Sequence, residues 1–231
     1  MAKGYGQFCP IAMAAEVLCE RWVPLVLREL MYGSRRFNDI ARGVPLMSRG
    51  LLVQRLRELE RSGIVKREQA SYRLTAAGEA LRPLVEQMGL WAQRWCARTL
   101  SEHDLDDSLL VWSLHRSLKV PPHVTRRVVL RFDFHGLPRS LRLARRSWWL
   151  LAQGGEVEIC IKDPGYEVDV ILTADLRSLM EVVLARRSLR SAQRSGQVKL
   201  QGDSALVREL PGWLPLNGEL AHTMGIVAAS P

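Results

Sequence analysis

The sequence predicts an α+β protein with two domains of different character. Apolar residues recur at helical spacing near the N-terminus, whereas from Val128 onward apolar and charged residues alternate as they do in half-buried strands. An acidic stretch, 101–107, lies between the two patterns. The chain has 231 residues, of which 47% are hydrophobic and 25% charged, which is enough for two cores. We therefore expect a helical N-terminal domain followed by a five-stranded sheet with helices.

Four helices and a hairpin are predicted in the N-terminal domain. Proline fits the first turn of a helix, glycine marks helix ends, and serine is a good N-cap. Two short β-like runs follow the fourth helix with very few residues between them, which predicts a hairpin. The predicted helices start at Pro10, Val23, Phe37 and Ser48, and the predicted strands are 64–68 and 71–74.

This order of elements is that of a winged helix-turn-helix domain, and its charge suits a polyanion. Residues 35–73 hold ten basic and four acidic side chains. On the fourth helix Leu52, Leu56 and Leu59 share a narrow sector, so polar side chains lie broadly opposite, while Arg55 on the flank could serve packing or a salt bridge. Arginine and glutamine can contact base edges in the major groove, so the expected partner is double-stranded DNA. A solvated arginine face without a partner is the alternative.

The DNA-binding residues are predicted in two groups. One group lines the base-reading surface at the start of the fourth helix, and the other meets phosphates. The base-reading group consists of Arg49, Gly50, Gln54 and Arg57, and the phosphate group consists of Arg35, Arg36, Arg67 and Arg73. Ser48 and Val53 on the same helix are further predicted DNA-binding residues.

Six short motifs within residues 8–96 form a recognisable set. They are Cys9-Pro10, Arg21-Trp22, Arg36-Phe37-Asn38, the run 54–59, Ser62-Gly63 and the run 72–78. Together they resemble the HxlR-type bacterial transcription regulators. The resemblance implies a homodimeric winged-helix regulator of nearby genes, with 48–57 at the start of the recognition helix. The segment 67–72 is shorter than the usual wing of that family.

The run after the hairpin carries a seam of about two heptads in which apolar residues alternate in steps of three and four. This spacing predicts a partner helix and hence a homodimer. The alternative is a helix that packs on its own domain, because Pro83 interrupts the pattern. The seam residues are Leu81, Leu84, Met88, Trp91 and Trp95.

Cys9 offers an alternative regulatory mechanism. It precedes Pro10 at a helix start, where unpaired amide N–H groups and the helix dipole favour a thiolate. The resemblance implies the same possibility, since the family includes members that sense oxidants through a cysteine at this position. The chain could therefore be a thiol-based redox-sensing regulator, or Cys9 could simply be packed.

The C-terminal half is predicted to contain five strands and four helices. Gly154-Gly155 predicts one hairpin turn, and Asp163-Pro164-Gly165 predicts another, between the runs 157–161 and 168–172. Asp175 can cap the helix that follows. The other predicted strands are 128–134, 148–151 and 198–201, and the predicted helices are 109–118, 176–186, a short one from Ser188, and 204–210.

A second set of motifs spans about residues 124–222. It comprises 148–150, 157–160, 162–165, 168–170, 172–176, 200–203 and 213–214. These motifs resemble a sterol-carrier-protein-like domain, which implies an apolar tunnel between sheet and helices and an apolar small-molecule effector. A filled core that serves only dimerisation is the alternative. The predicted ligand-binding residues are Phe132, Trp148, Ile159, Val170, Leu179 and Val183.

Other classes of function find little support in the sequence. The histidines and cysteines lack metal-ligand spacing, and catalytic and nucleotide-binding motifs are missing, so we expect no enzyme, metal or cofactor. The longest uncharged stretches have 12 residues, too few for a membrane span, and we expect a cytoplasmic protein with reduced thiols. A lipid-binding or enzymatic C-terminal domain fused to a DNA-binding module is a further alternative. The expected domains are 1–98 for DNA binding and dimerisation, 99–118 as a linker helix, 119–222 for ligand binding and 223–231 as a tail.

Overall fold

Buried apolar side chains form a separate core in each of two units, residues 1–88 and 89–231. The computed structural model describes residues 4–96, 99–138 and 147–214, so the predicted tail 223–231 lies outside the described residues. Within the described ranges, no helix is long and apolar enough to cross a membrane.

The N-terminal unit contains the predicted helices and hairpin. The two strands pair antiparallel across a two-residue loop, and an isolated bridge between Arg36 and Ser71 adds a third chain segment beside them. The wing is therefore as short as the sequence predicts. The elements are α1 (Pro10–Leu18), α2 (Val23–Met31), α3 (Phe37–Gly43), α4 (Arg49–Arg61), β1 (Val65–Glu68), β2 (Ser71–Leu74) and α5 (Ala76–Glu79).

The helix that carries the predicted seam, α6, runs from Arg82 to Trp95. The expected interruption at Pro83 is wrong, because this proline occupies the first turn, where its missing N–H has no helical acceptor to lose. Leu81 lies before the helix and is half-buried against the N-terminal core. The part of the predicted seam that lies on α6 therefore consists of Leu84, Met88, Trp91 and Trp95.

In the C-terminal unit, the first described element after α6 is a single turn of 3₁₀ helix at Glu102–Asp104. Within the described residues, five strands and four helices follow, in agreement with the predicted elements, and give the α+β fold expected. They are α7 (Asp107–Ser117), β3 (Val128–His135), β4 (Ser147–Gln153), β5 (Glu156–Cys160), β6 (Val170–Asp175), α8 (Leu176–Val183), α9 (Leu189–Arg194), β7 (Val198–Gly202) and α10 (Ser204–Trp213).

The strand order is β5-β4-β3-β6-β7, with β6 parallel to β3 and the other neighbours antiparallel. The predicted hairpin between 157–161 and 168–172 is therefore wrong. Asp163 does accept a hydrogen bond from the Gly165 amide at 2.9 Å, but this local turn belongs to a longer connection that carries the chain from the sheet edge to the far side of β3. Pairing with β3 buries Val170 and Leu172, which an edge hairpin would not do.

Two local predictions in this unit are confirmed and one needs correction. Gly154 and Gly155 have φ of 60° and 83° and form the β4–β5 turn, a left-handed conformation that favours glycine at both positions. Asp175 caps α8 by accepting from the Ser178 amide. The helix ends at Val183 rather than Arg186, since Ala185 adopts a φ of 56°, outside the helical region.

The helices α7, α8, α9 and α10 contribute apolar side chains to one core, which lies against one face of the sheet. The helix α7, placed in a linker by the sequence, supplies Leu110, Val111 and Leu114 to this core. Alternate residues of the central strand β3, such as Phe132, complete it from the sheet side.

Candidate nucleic-acid interface

Helix α4 is anchored at one end and along one face, which fixes the face it exposes. The Ser48 hydroxyl accepts a hydrogen bond from the Leu51 amide, so the predicted N-cap is confirmed. Leu52, Leu56 and Leu59 are buried in the core of the unit. Because these residues share one sector of the helix, the opposite sector faces outward, as the sequence predicts. The residues it carries are Arg49, Gly50, Gln54 and Arg57, all exposed, and Val53, which is half-buried.

Arg49 is held in place by the preceding helix. Its Nη2 donates to Oδ1 of Asn38 at 2.7 Å, and its guanidinium lies 4.9 Å from the centroid of the Phe37 ring. Two contacts from α3 therefore orient one edge of the guanidinium and leave its other N–H groups available. The sequence indicated Arg49 as a base reader but not the two side chains that position it.

Gln54 also has a fixed partner. Its Nε2 donates to Oε1 of Glu58 at 2.9 Å, one helical turn further along α4. The other Glu58 oxygen pairs with Arg55 at 2.6 Å, and Arg55 pairs with Glu20 at 2.6 Å. The hydrogen bonds from Gln54 and Arg55 hold the pKa of Glu58 below its usual value. Arg55 thus serves a salt bridge, one of the two roles left open by the sequence, and lies outside the base-reading face.

Arg57 and Arg36 have the guanidinium groups with the fewest polar partners among the predicted DNA-binding residues. Both are exposed, and among the residues described neither side chain has a hydrogen-bond or ion-pair partner. A guanidinium with all five N–H donors free can meet either a base edge or a phosphate. Gly50 between them in sequence has no atom within 4 Å of an ideal Cβ, so the backbone of α4 is open to approach there.

The wing carries basic side chains that are already paired. Glu68 lies between Lys66 at 2.7 Å and Arg73 at 3.2 Å, and these cations hold its pKa below the usual value. Arg67 donates to the Gln69 carbonyl at 3.3 Å and lies over the Tyr72 ring. The short wing therefore presents less net positive charge than its arginines suggest.

Arg35 differs from the other predicted phosphate-contacting residues because it is half-buried. Its Nη1 donates to the carbonyl of Leu30 at 2.8 Å and ties the end of α2 to the segment before α3. A backbone hydrogen bond, from the Tyr72 amide to the Arg35 carbonyl at 2.8 Å, connects the same segment to the wing. This position gives Arg35 a structural role beside the predicted one.

A buried acid holds the helix-turn-helix together, and the sequence did not indicate it. The side chain of Glu29 on α2 has no exposed surface, and Arg28 contacts it at 2.9 Å while the Ser34 hydroxyl donates to it at 3.2 Å. Arg28 also donates to the Gly43 carbonyl at 2.8 Å, at the end of α3. An ideal Cβ on Gly43 would lie 1.9 Å from the carboxyl carbon of Glu29. This cluster fixes α3, and with it the turn that leads to α4.

The predicted dimerisation surface and the predicted redox residue both lie outside the core. The four seam residues on α6, Leu84, Met88, Trp91 and Trp95, are 51%, 50%, 60% and 67% exposed. Cys9 is the N-cap residue of α1 and is half-buried, without a side-chain capping bond. Its neighbours in sequence include apolar residues that are more exposed than any on α6: Phe8 is 100% and Ile11 79% exposed.

In the C-terminal unit the predicted ligand-binding residues lie together between the sheet and the helices. Five of them are buried members of the same core, and Ile159 is partly buried against it. A buried acid contacts one of these residues: Asp107 is 4% exposed and accepts a hydrogen bond from Nε1 of Trp148 at 2.7 Å. Burial raises the pKa of Asp107. Within the described residues, no cluster of three or more histidine, cysteine or acidic side chains is arranged to hold a metal ion.

The N-terminal unit is a winged helix-turn-helix whose capped helix α4 exposes arginine and glutamine, and an α+β domain follows it in the chain. These features are those of a DNA-binding transcriptional regulator. The family model described as HxlR-like helix-turn-helix matches residues 17–100, and the model of the SCP-2 sterol transfer family matches residues 127–214. The chain belongs to the HxlR-like helix-turn-helix family and carries an SCP-2 domain at its C-terminal end.

Relatives from Bacillus subtilis (strain 168) support this assignment. The HTH-type transcriptional regulator YvaP is 37% identical in a 97-residue alignment, which covers 38% of this chain and 90% of YvaP. The HTH-type transcriptional regulator YodB is 35% identical over 96 residues, covering 38% of this chain and 86% of YodB. A crystal structure of quinone-bound YodB covers 38% of this chain and 99% of its own, with 37% identity and a TM-score of 0.36.

Proposed function

We propose that the chain acts in the cytoplasm as a homodimeric transcriptional regulator that reads its operator through α4 and responds to an apolar small molecule through the SCP-2 domain. The observation that carries the DNA-reading part is the exposed face of α4, where Arg49 and Gln54 are each held by a neighbouring side chain. Arg57 adds a cation with no partner among the described residues. Side chains held before binding lose less conformational entropy when they meet a base.

Substitutions at Arg57 and Arg36 distinguish base reading from phosphate contact. We expect Arg57→Ala to weaken binding to the selected operator by about 1–3 kcal/mol, with a much smaller effect on a random duplex. We expect Arg36→Ala to weaken both duplexes alike and to lower the slope of log affinity against log salt by about 1. Fluorescence anisotropy at several salt concentrations, with an operator selected from random duplexes, measures both quantities.

The matched control is Arg190→Ala, which removes the same charge from an exposed position on α9 in the other unit. The affinity of this variant for both duplexes should be close to that of the unaltered chain. Equal losses for Arg57→Ala on the operator and on random DNA would contradict its role as a base reader.

Homodimerisation is supported by α6. Four large apolar residues recur on one face of this helix in steps of four, three and four, and each exposes half or more of its surface. That spacing is the one with which two helices pack as a coiled coil. A second copy is the partner that function requires, because a single winged helix reads one half-site and a dimer reads two.

Ligand sensing by the SCP-2 domain is supported by the match to the sterol transfer family and by the apolar layer between sheet and helices. The buried pair of Asp107 and Trp148 supplies one polar point in that layer, which suits an amphipathic ligand with a single polar group. For regulation, the ligand must bind the DNA-competent and DNA-incompetent states with different affinity.

A thermal-shift screen of the full chain with fatty acids, sterols, polyketides and aromatic metabolites tests ligand sensing. At a hundredfold excess over its dissociation constant, a ligand should stabilise the folded domain by about 2.7 kcal/mol. It should also change operator affinity, whereas acetate, a polar control without an apolar tail, should do neither. Stabilisation without any change in operator affinity would contradict the sensing role and leave a binding domain.

Cys9 supports a second candidate, a thiol-based response to oxidants. It is the N-cap residue of α1, at the end of the helix where the dipole favours a negative charge. YodB, a relative of this chain, has been crystallised in a quinone-bound form. We expect oxidant treatment to weaken operator binding by the full chain, and Cys9→Ser to prevent this loss. Cys19→Ser, at an exposed thiol at the other end of α1, is the control and should respond as the unaltered chain does. An unchanged oxidant response of Cys9→Ser would exclude the mechanism.

A further inference from the structure

The pairing of Gln54 with Glu58 restricts what Gln54 can offer to DNA. An amide side chain has a carbonyl oxygen that accepts and an NH₂ group that donates twice. Glu58 is a carboxylate, which accepts only, so the NH₂ group of Gln54 is the end that must face it. The orientation of the amide is therefore determined by chemistry: Nε2 points along α4 toward Glu58, and one N–H and the whole of Oε1 remain for another partner.

Glu58 is itself immobilised. Its Oε2 contacts Arg55 at 2.6 Å, and the guanidinium of Arg55, whose side chain is 14% exposed, reaches Glu20 at 2.6 Å. This chain of contacts connects the turn after α1 to the outer face of α4. Because both carboxylate oxygens of Glu58 have partners, its position does not depend on DNA.

We propose that Glu58 is a positioning residue that makes Gln54 a reader of adenine. Adenine presents the acceptor N7 and the donor N6 in the major groove, and the free Oε1 and remaining N–H of Gln54 match this pair. Guanine presents two acceptors, N7 and O6, which a freely rotating amide could meet with both N–H groups but which the anchored amide cannot. This inference rests on the proposed DNA-reading role of α4.

The experiment uses the full chain and single-base variants of its selected operator. Gln54→Ala first identifies the operator position whose base preference it removes. At that position the unaltered chain should prefer adenine over guanine by about tenfold or more. The key variant is Glu58→Gln, which is nearly the same shape. Because Arg55 can only donate, the new amide should turn its oxygen to Arg55 and its NH₂ group to Gln54. Gln54 then faces it with Oε1 and keeps both N–H groups free, so the preference for adenine should fall to about threefold or less.

A merely structural role of Glu58 predicts a different pattern. Loss of structure would weaken binding at every operator position, whereas loss of positioning changes the adenine-to-guanine ratio at one position and leaves the preference governed by Arg57 intact. Glu60→Gln, which removes a charge from the same helix, is the matched control and should keep the ratio. Thermal unfolding of each variant accompanies the binding data.

Two outcomes overturn the inference. One is that Glu58→Gln retains the full preference, and the other is that the position sensitive to Gln54→Ala prefers a base other than adenine. In both cases Arg57→Ala would still weaken specific binding, so the proposed function would stand. If no variant on the exposed face of α4 changes any base preference, the proposed function fails and this inference fails with it.

Discussion

Replacing Gly43 with alanine should lower the free energy of unfolding of the N-terminal unit by about 2–4 kcal/mol. The added methyl group would lie 1.9 Å from the carboxyl carbon of Glu29, a side chain with no exposed surface. To relieve the overlap, either the end of α3 or the carboxylate must move. Movement of the carboxylate breaks its contacts with Arg28 and Ser34 and leaves a buried charge poorly solvated.

Urea unfolding, monitored through hydrogen exchange at the amides of α2 and α3, measures the decrease in the free energy of unfolding of the N-terminal unit. Gly50→Ala is the control, because an ideal Cβ there has no atom within 4 Å and α4 is helical at that point. It should leave the stability unchanged or raise it by up to about 1 kcal/mol. Wild-type stability of Gly43→Ala would show that Glu29 and the end of α3 can separate at little cost.

Trp91→Glu should convert the proposed homodimer to a monomer and reduce operator affinity by about 100-fold or more. Trp91 is in the middle of the exposed face of α6, and its side chain is 60% exposed, so the substitution should not disturb the core of the monomer. In a dimer the same position would bury two carboxylates against apolar side chains, which is strongly unfavourable. Loss of the second half-site then removes the gain from simultaneous binding.

Sedimentation velocity and anisotropy on the same samples test this expectation. Ile161→Glu is the matched control, since it places an acid at a site 45% exposed in the connection after β5. It should sediment as the unaltered chain does and bind the operator with similar affinity. A dimeric Trp91→Glu variant would move the interface away from this face of α6.

Local patterns predicted the elements well because the residues that specify them lie close together in sequence. The stripe of Leu52, Leu56 and Leu59 and the Ser48 cap give α4 and its exposed face, and Gly154-Gly155 gives the β4–β5 turn. Gln54 and Glu58 are one helical turn apart, so this pair could also have been recognised from spacing alone.

Features that depend on distant residues were missed or misplaced. The parallel pairing of β6 with β3 joins segments about 40 residues apart, and nothing local distinguishes it from a hairpin with β5. The burial of Glu29 was not predicted, because Ser34 and Gly43, which contact or approach its carboxylate, lie beyond the end of its own helix. Arg35 reads as a free cation for the same reason, because the carbonyl it binds is specified by the fold.

Footprinting of the full chain on its selected operator tests the central claim most directly, namely that two copies read DNA through α4. We expect two related half-sites in inverted orientation, with centres separated by about 10 base pairs or a multiple of this spacing, and protection at both that disappears together in Trp91→Glu. A single asymmetric site with unchanged protection in Trp91→Glu and in Arg57→Ala would contradict the account.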